Sequence, residues 1–490
     1  MRLHAERPAL TGQQGDYTYA QLARLVCRIA EALRAAQVEA GDRVAVRVSG
    51  ATQQLILTYG IAAVQAVVVP LSKRTPLADV NRQLADAGCS LLISDDDDQG
   101  KYEVGSTLHS DDLDWHGESS DADTDLVMQQ LSQAADQVVW EAPLFIIYTS
   151  GTTARPKGVV ISHRSRMLWS LHLRSALRMD QSQVFLSAMP VTHSAGITLP
   201  LAHLYSGALV SVLDRFDVDD CTRELQETGA DRLLLVPTML ARLMRHESFV
   251  TGSHTLKEII CCGSRLSPEV REELERRMPD VQLYEYYGST ESPCMTIRYP
   301  DDPEEVAESV GRPFRGVQVE VRDNSGRPVQ TGEVGEVWAN NVALMSGYWR
   351  NPEETALVVR DGWYRTNDLG YLDADNYLFL RGRADDVIVT GGLNVPAWEV
   401  ERALCEDPRV VEAFVSGVPD PEWGEVVAAL IASTDDLDHD DVLRECRARL
   451  PGYKVPKIVL RVDSLPRNTA GKVDKGGARE LLARAPRGAD

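Results

Sequence analysis

The first part of the chain alternates apolar runs of strand length with an apolar segment of helix length. Residues 44–48 and 67–69 form two short runs rich in valine, and Ala51–Ala63 between them has the length of a helix. A strand, a helix and a second strand in this order predict a parallel sheet with helices packed on its faces.

A helix start precedes this unit. Thr18 and Gln21 have the spacing of a capping box, in which each side chain accepts a hydrogen bond from the other residue's backbone N–H. The positions that follow predict a helix from Tyr19 to about Ala35.

Later apolar runs predict further strands, at residues 145–148, 159–161, 232–236 and 257–262. From residue 317, turns of glycine, asparagine and aspartate separate runs such as 317–321 and 336–339, which indicates a β-rich subdomain over about residues 315–384. After Asp385 the strands and helices are expected to be short again.

The length of the chain implies more than one domain, because 490 residues exceed what one ordinary core supports. We predict an α/β fold: a large N-terminal domain of helix-covered sheets with the β-rich subdomain, residues 1–384, and a small α+β C-terminal domain, residues 385–490.

Charge restricts the function classes. The net charge of −22 argues against unaided binding to nucleic acid or to anionic lipid. Four consecutive aspartates, residues 95–98, are a conceivable metal site, but a solvated loop is the expected interpretation.

The eight cysteines lack metal-ligand spacing, and the adjacent pair Cys261 and Cys262 is poorly placed to form a disulfide. The first ten residues have no hydrophobic signal core, and the most apolar stretch, residues 61–71, is too short to span a bilayer. These features predict a reduced, cytoplasmic protein without a membrane span.

The segment from Tyr148 to Gly158 is the first candidate for chemistry. A strand leads into a loop of small hydroxyl residues and glycine, followed by Lys157. Backbone amides in such a loop can surround phosphate oxygens while the lysine adds positive charge. The common nucleotide-binding loop pattern, with lysine directly after glycine, is absent, so composition alone leaves a simple serine–glycine turn equally open.

Four more segments carry polar groups in close order. They are residues 284–291, with tyrosines, a glycine and a carboxylate; 364–368, ending in an aspartate; 381–388 with the following Gly391 and Gly392; and 465–472, ending in a lysine. Aromatic faces can pack on a base, and carboxylates can bind magnesium or ribose hydroxyls.

Together and in this order, the five segments resemble the acyl-adenylate-forming superfamily of acyl-CoA synthetases, adenylation domains and beetle luciferases, most closely in the style of acyl- and aryl-CoA ligases. The resemblance runs from Tyr17 to Lys472. It implies ATP and Mg²⁺ as cofactors, and a mobile C-terminal lid joined to the rest of the chain at a hinge, which Asp385 matches.

The resemblance also assigns roles to single residues. The phosphate loop is matched by Thr149, Ser150, Gly151, Thr152, Thr153 and Lys157. The rest of the ATP site is matched by Gly263, Ser264, Tyr287, Gly288, Asp368 and Arg383, the last two as ribose contacts. Thr290 matches a phosphate contact, Glu291 the magnesium ligand and Lys472 the lysine that reaches into the site for adenylation.

These groups suit the reaction that the resemblance implies. A carboxylate has to approach the α-phosphate of ATP, and both are anions. Lys472 can reduce that repulsion, and a magnesium ion near Glu291 can neutralise the departing pyrophosphate. The substrate itself is the nucleophile, so catalysis is mainly positioning and charge stabilisation.

Three residues depart from the family pattern. Ala154 stands in place of a usual glycine and is strained if that position needs positive φ. Asn367 also replaces a glycine, but asparagine tolerates positive φ well. Arg265 is a cation near the pocket walls, with two interpretations: a partner for a second substrate carboxylate, or, as we favour, an arginine turned to solvent.

The acid is expected to bind near His193, which occupies the place of a histidine found in acyl- and aryl-CoA ligases. No acidic residue lies between Val191 and Ile197, so an α-amino acid is disfavoured. The remaining predicted pocket residues surround the tyrosine–glycine motif: Tyr286, Gly288, Ser292, Pro293 and Met295. Their mixed character does not choose between aryl, short and medium-chain acids.

The thiol acceptor is expected to meet the lid at Gly391, Gly392 and Trp423. Coenzyme A is the leading hypothesis, and the phosphopantetheine of a separate carrier protein is the alternative. A nucleotide-binding protein that has lost catalysis is a third hypothesis, which Ala154 and Asn367 motivate and the retained Lys472 opposes.

Overall fold

The structure is a computed structural model that describes residues 4–113, 115, 124–149, 157–252, 255–433, 439–467 and 473–485. Two compact units emerge from its packing: Met1–Val319 with Ala339–Tyr364, and Glu320–Trp338 with Arg365–Asp490. The predicted hinge at Asp385 stays a prediction, because packing within units does not define an axis of motion.

The strands of the described residues are β1 (Pro8–Thr11), β2 (Tyr17–Thr18), β3 (Arg43–Arg47), β4 (Val67–Pro70), β5 (Leu91–Ser94), β6 (Thr107–His109), β7 (Pro143–Thr149), β8 (Lys157–Ser162), β9 (Val184–Ser187), β10 (Leu209–Val212), β11 (Arg232–Leu235), β12 (Glu258–Cys262), β13 (Gln282–Tyr287), β14 (Thr296–Arg298), β15 (Arg312–Pro313), β16 (Val317–Arg322), β17 (Gly335–Asn341), β18 (Gly347–Tyr348), β19 (Val359–Arg360), β20 (Trp363–Leu372), β21 (Leu378–Arg383), β22 (Val387–Thr390), β23 (Leu393–Pro396), β24 (Val410–Asp420), β25 (Gly424–Ser433) and β26 (Ile458–Val462).

The α-helices of the described residues are α1 (Tyr19–Ala35), α2 (Ala51–Ala63), α3 (Leu77–Ala87), α4 (Thr124–Asp136), α5 (His163–Ala176), α6 (Ser194–Tyr205), α7 (Val218–Thr228), α8 (Pro237–Met244), α9 (Glu247–Thr251), α10 (Pro268–Arg277), α11 (Pro352–Val358), α12 (Ala397–Cys405), α13 (His439–Arg449) and α14 (Lys475–Ala483). None of them combines the length and apolar character that crossing a lipid bilayer requires, within the part of the chain that was described.

The first unit contains two large sheets. One has nine strands in the order β15-β14-β13-β12-β11-β9-β10-β1-β2, and the other has seven in the order β18-β8-β7-β4-β3-β5-β6. The predicted strand–helix–strand unit is confirmed, since β3 and β4 are parallel neighbours joined through α2. The α/β class predicted from the sequence is thereby confirmed.

Strands β7 and β8 differ from the pattern around them. Both were predicted as strands, but they pair antiparallel, with Thr149 opposite Lys157. A hairpin therefore places the two ends of the predicted phosphate loop on adjacent strands.

The other two sheets are smaller. The β-rich sheet has the order β16-β17-β20-β19, with β21 added to β20, and the chain passes between the two units within β16, β17 and β20. The last sheet, β23-β22-β25-β24 with β26 on β25, lies in the second unit. The expectation of short strands after Asp385 is wrong, because β24 and β25 have 11 and 10 residues and form a long hairpin.

The acidic run of residues 95–98 is not simply a solvated loop. Asp96 accepts a hydrogen bond from Arg47 at 2.5 Å and one from Lys73 at 2.9 Å, and Lys73 also pairs with Asp95. Burial acts to raise the pKa of Asp96, but the hydrogen bonds and charges of its neighbours outweigh it and hold that pKa well below its usual range. Only Asp97 and Asp98 are exposed.

The capping box predicted at the start of α1 is confirmed. The Thr18 hydroxyl accepts a hydrogen bond from Gln21 N at 3.2 Å, and Gln21 Oε1 accepts one from Thr18 N at 2.8 Å. These bonds satisfy backbone donors that the first turn of a helix leaves without partners.

Replacing Thr18 with alanine is expected to destabilise the first unit by about 1 kcal/mol, because the hydroxyl acceptor is lost. A shift of the urea unfolding midpoint, followed by tryptophan fluorescence, would measure it. Thr18→Ser keeps the acceptor and serves as the control. Equal midpoints for the alanine and serine variants would contradict the role of the cap.

Candidate active site at the carboxyl ends of the parallel strands

The nine-stranded sheet contains a point at which its strand order reverses. Strands β9 to β13 are parallel to one another, with β10 on one side of β9 and β11 on the other. In open α/β sheets, ligands bind outside the carboxyl ends of the strands at such a reversal. The segments that follow these strands include His193 after β9, Gly263 after β12 and Gly288 after β13.

The loop after β13 is closely packed. A Cβ atom on Gly288 would lie 2.4 Å from the backbone N of Cys294, so the position accepts only glycine. The Ser289 N–H donates to Ser292 O at 3.0 Å, and the Met295 N–H donates to Tyr287 O at 2.7 Å. These backbone hydrogen bonds hold both ends of the loop, and the half-buried Thr290 and Glu291 lie between them.

Glu291 is held by a segment further along the chain. Its Oε1 accepts a hydrogen bond from the Tyr348 hydroxyl at 3.0 Å, and its carbonyl accepts one from Met345 N at 2.8 Å. Among the described residues, no hydrogen bond to its second oxygen, Oε2, is found. Magnesium is commonly bound by one or two carboxylates together with substrate phosphates, so Glu291 fits the role of a magnesium ligand.

Lys157 also contacts Tyr348. Its Nζ is 5.3 Å from the centre of the Tyr348 ring and forms an ion pair with Glu354 on α11. Thr149 and Lys157 stand opposite each other at the base of the β7–β8 hairpin. The predicted loop residues Ser150, Gly151, Thr152 and Thr153, and the departure at Ala154, lie outside the described residues.

The predicted adenine side is formed by the turn after β12 and by Tyr287. Gly263 has a φ of 95°, a conformation that favours glycine. Gly263 and Ser264 are exposed, whereas Tyr287 is half-buried. The Arg265 side chain is 56% exposed and lies 3.8 Å from Glu308, which agrees with the favoured interpretation of an arginine turned to solvent.

The predicted acyl pocket region is apolar and rich in sulfur. Tyr286 and Cys262 are direct neighbours on β13 and β12, and the Cys262 thiol is 3.8 Å from the sulfur of Met189. Burial raises the pKa of Tyr286 well above its usual value, so its solvent-shielded hydroxyl stays protonated. Cys294 and Met295, which precede β14, are also buried.

Three other predicted pocket residues have clear structural positions. His193 is the N-cap residue of α6, with extended backbone angles, and is half-buried. Ser292 and Pro293 are buried, and Asn341 donates hydrogen bonds to the Ser292 hydroxyl at 3.2 Å and to the Pro293 carbonyl at 2.7 Å. Asn341 was not found by sequence reasoning, because it lies 49 positions from Ser292.

The predicted ribose contacts face each other in the second unit. Asp368 and Arg383 are paired across β20 and β21, and Arg383 Nε lies 3.4 Å from Asp368 Oδ1. Asn367 has a φ of 63°, as expected for a residue replacing glycine, and its side-chain amide donates to Asp385 at 2.5 Å. This residue therefore contacts the predicted hinge aspartate directly.

The predicted thiol-facing residues form a second group in that unit. Gly391 and Gly392 have φ of 55° and 79° at the turn between β22 and β23, and Gly391 N donates to Trp423 O at 2.8 Å. Trp423 is 40% exposed, with Lys457 Nζ 4.2 Å from its ring centre. Lys472 lies outside the described residues.

Comparison with known proteins identifies the family. A model described as AMP-binding enzyme matches residues 1–349, and one described as AMP-binding enzyme C-terminal domain matches residues 399–472. A feruloyl-CoA synthase of Amycolatopsis sp is 33% identical, over 94% of this chain and 93% of the relative. A fatty acid–[acyl-carrier-protein] ligase, ScoC, of Streptomyces coeruleorubidus is 31% identical, over 95% and 92%.

A solved structure shares the fold over nearly the whole chain. The o-succinylbenzoate coenzyme A synthetase of Bacillus subtilis, in complex with ATP and a magnesium ion, superposes with a TM-score of 0.84 at 25% identity and covers 98% of this chain and 97% of that one. The chain therefore belongs to the AMP-binding enzymes of the adenylate-forming superfamily, and it is an acyl-CoA synthetase-like ligase.

Proposed function

We propose that this protein uses ATP and Mg²⁺ to convert an organic acid without a second charged group into its acyl-adenylate, and then transfers the acyl group to coenzyme A. The observation that carries the proposal is the arrangement around Tyr348. A carboxylate suited to magnesium, Glu291, and a cation suited to phosphate, Lys157, contact the same side chain in the first unit.

The reaction has two displacements. A carboxylate oxygen of the acid attacks the α-phosphorus of ATP, and pyrophosphate leaves with the electron pair of the broken P–O bond. The thiol then loses its proton to solvent as its sulfur attacks the acyl carbon, and AMP leaves with the electron pair of the broken C–O bond. A magnesium ion would neutralise charge on the pyrophosphate, and Glu291 and Thr290 would bind on that side of the nucleotide.

The remaining catalytic and binding roles follow the family resemblance. Lys472 would lie between the acid and the α-phosphate during the first displacement, and Asp368 with Arg383 would bind the ribose. Gly391, Gly392 and Trp423 would meet the incoming thiol. Rotation at Asp385 would exchange the two faces of the lid between the displacements.

The class of acid is inferred from the pocket wall. Met189, Cys262 and Tyr286 present apolar or neutral groups, and Arg265 is exposed beside Glu308. Met189, Cys262 and Tyr286 offer no cation to a second carboxylate, so burying one against them would carry a large desolvation cost. Aromatic or aliphatic monoacids are therefore proposed, in line with the acid for which the feruloyl-CoA synthase is named, whereas the o-succinylbenzoate synthetase is named for a diacid.

A carrier protein is the second candidate acceptor. The relative named as a fatty acid–[acyl-carrier-protein] ligase is nearly as similar as the feruloyl-CoA synthase. Both acceptors present a phosphopantetheine thiol, so the lid residues alone do not separate them.

Pyrophosphate release with ATP and Mg²⁺ tests the proposal. The panel comprises aryl, short-chain, medium-chain and dicarboxylic acids, each without acceptor, with coenzyme A, and with a phosphopantetheinylated carrier protein. We expect release with a monoacid, fast turnover only with coenzyme A, and little release with dicarboxylic acids. Turnover only with the carrier protein would favour the second candidate, and no release with any acid would contradict ligase activity.

A further inference from the structure

Residues 345–349, here called the strap, connect the two halves of the candidate nucleotide site in the first unit. At one end Met345 N donates to the Glu291 carbonyl at 2.8 Å. At the other end Trp349 N donates to Gly158 O at 2.7 Å, and β18 pairs antiparallel with β8, which begins at Lys157. The strap is therefore hydrogen-bonded to both the Glu291 loop and the phosphate-loop hairpin.

Tyr348 is the side chain of the strap that contacts both halves. It is only 8% exposed, its hydroxyl donates to Glu291 Oε1, and its ring faces Lys157. The backbone of Tyr348 is fixed in turn, because its N–H donates to the Thr355 hydroxyl at 2.9 Å. A tyrosine held at ring, hydroxyl and backbone has little freedom to move away from Glu291.

The chemistry of a tyrosine hydroxyl suits this position. As a neutral donor it binds one carboxylate oxygen of Glu291 and leaves the negative charge available for a cation at the other oxygen. A lysine or arginine here would neutralise that charge and compete with the metal. Hydrogen bonds to metal-ligating carboxylates orient them, and losing such a partner typically weakens metal binding 10- to 100-fold.

We propose that Tyr348 is a positioning residue: its hydroxyl orients Glu291 toward the magnesium ion of the bound nucleotide, and its ring keeps Lys157 beside the same site. This inference rests on the proposed use of ATP and magnesium. It adds a residue that the sequence motifs did not select, 57 positions from Glu291.

Binding of Mn²⁺ to the full-length protein in the presence of α,β-methylene-ATP tests the proposal without turnover, with free Mn²⁺ measured by electron paramagnetic resonance. Tyr348→Phe keeps the ring and removes the hydroxyl. We expect its affinity for Mn²⁺ in the nucleotide complex to fall 10- to 100-fold, with little change in nucleotide affinity in the absence of metal. Tyr348→Leu should weaken nucleotide binding as well, because the ring that faces Lys157 is lost.

Tyr102→Phe is the matched control, since it removes another buried tyrosine hydroxyl that donates to a carboxylate, that of Asp96. Its Mn²⁺ affinity should equal that of the wild type. If Tyr348→Phe binds Mn²⁺ with wild-type affinity in the nucleotide complex, the positioning role is overturned, while the proposed function still stands. Absence of nucleotide-dependent Mn²⁺ binding in the wild-type protein would overturn both.

Discussion

Replacing Lys472 with alanine is expected to slow acyl-adenylate formation by about 10²–10³-fold or more, comparable to the loss of a preorganised group that stabilises transition-state charge. The acid carboxylate and the α-phosphate are both anionic, and their repulsion has to be reduced as the new P–O bond forms. Among the motif residues, Lys472 is the cation proposed to act there, and alanine leaves the repulsion uncompensated.

The second displacement provides an internal control for Lys472. When a thiol attacks a preformed acyl-adenylate, no carboxylate has to approach a phosphate of the same charge. Lys472→Ala should therefore keep most of the rate of thioester formation. Lys472→Arg retains the charge with a different shape and should recover part of the adenylation rate. Pyrophosphate release and thioester formation measure the two steps separately, and unchanged pyrophosphate release in Lys472→Ala would refute the assignment.

The sequence predicts strands and helices well where one segment alone determines them. The capping box at Thr18 and the unit from β3 to β4 are correct because hydrogen bonding and burial there follow the local pattern. The direction of β8 was not predictable in the same way. Its antiparallel pairing with β7 is a property of the folded sheet, and the apolar runs that predicted the two strands carry no information on their relative direction.

The long hairpin of the second unit shows another limit of sequence reasoning. In β25 the last eight of its ten residues are buried, so the alternation of apolar and polar residues that identifies a half-exposed strand is missing. Strand β24 contains Gly417 and Pro419, residue types that commonly interrupt a strand. Pairing along the full length of both strands overrides these local signals.

The candidate site residues also differ in whether a local sequence pattern reveals them. Glu291, Gly288 and Lys157 lie in motifs that can be recognised locally, and in the structure Glu291 and Lys157 both contact Tyr348. Tyr348 and Glu354 lie 57 and 197 positions from the residues they contact, so no local pattern reveals them. Two sequence signals mark this region: the tyrosine that follows a glycine, and the Asn-Pro pair at residues 351–352. Both signals also suit an ordinary turn.

The buried Arg232 is expected to contribute more to the stability of the first unit than the Thr18 cap does. It is 1% exposed at the start of β11, is paired with Glu258, and donates to Leu177 O at 2.8 Å. Its Nη1 also lies 3.3 Å from Nε2 of His203, whose Nδ1 donates to Leu199 O. One guanidinium thus satisfies acceptors from several elements of the same unit.

Replacing Arg232 with methionine is expected to destabilise this unit by about 3 kcal/mol, at the lower end for breaking a buried ion pair, because Glu258 retains some contact with solvent. Arg82→Ala is the matched control. It removes an exposed helical ion pair with Asp79, for which less than about 1 kcal/mol is expected. Urea unfolding midpoints compare the two, and equal shifts would contradict a special role for Arg232.

The pH dependence of stability provides a second test of the same network. The pKa of His203 lies well below its ordinary value of 6.5. Burial is the largest cause, and the positive charge of Arg232 is the second. The folded state therefore binds fewer protons than the unfolded state, so this stabilisation is complete above pH 6.5 and is lost as the pH falls toward the folded pKa. Arg232→Met removes the charge that lowers the pKa of His203, while the burial remains. The variant should therefore lose less stability than the wild type as the pH falls from 6.5 to acid values. A steeper loss in the variant would show that Arg232 does not repel the protonated histidine.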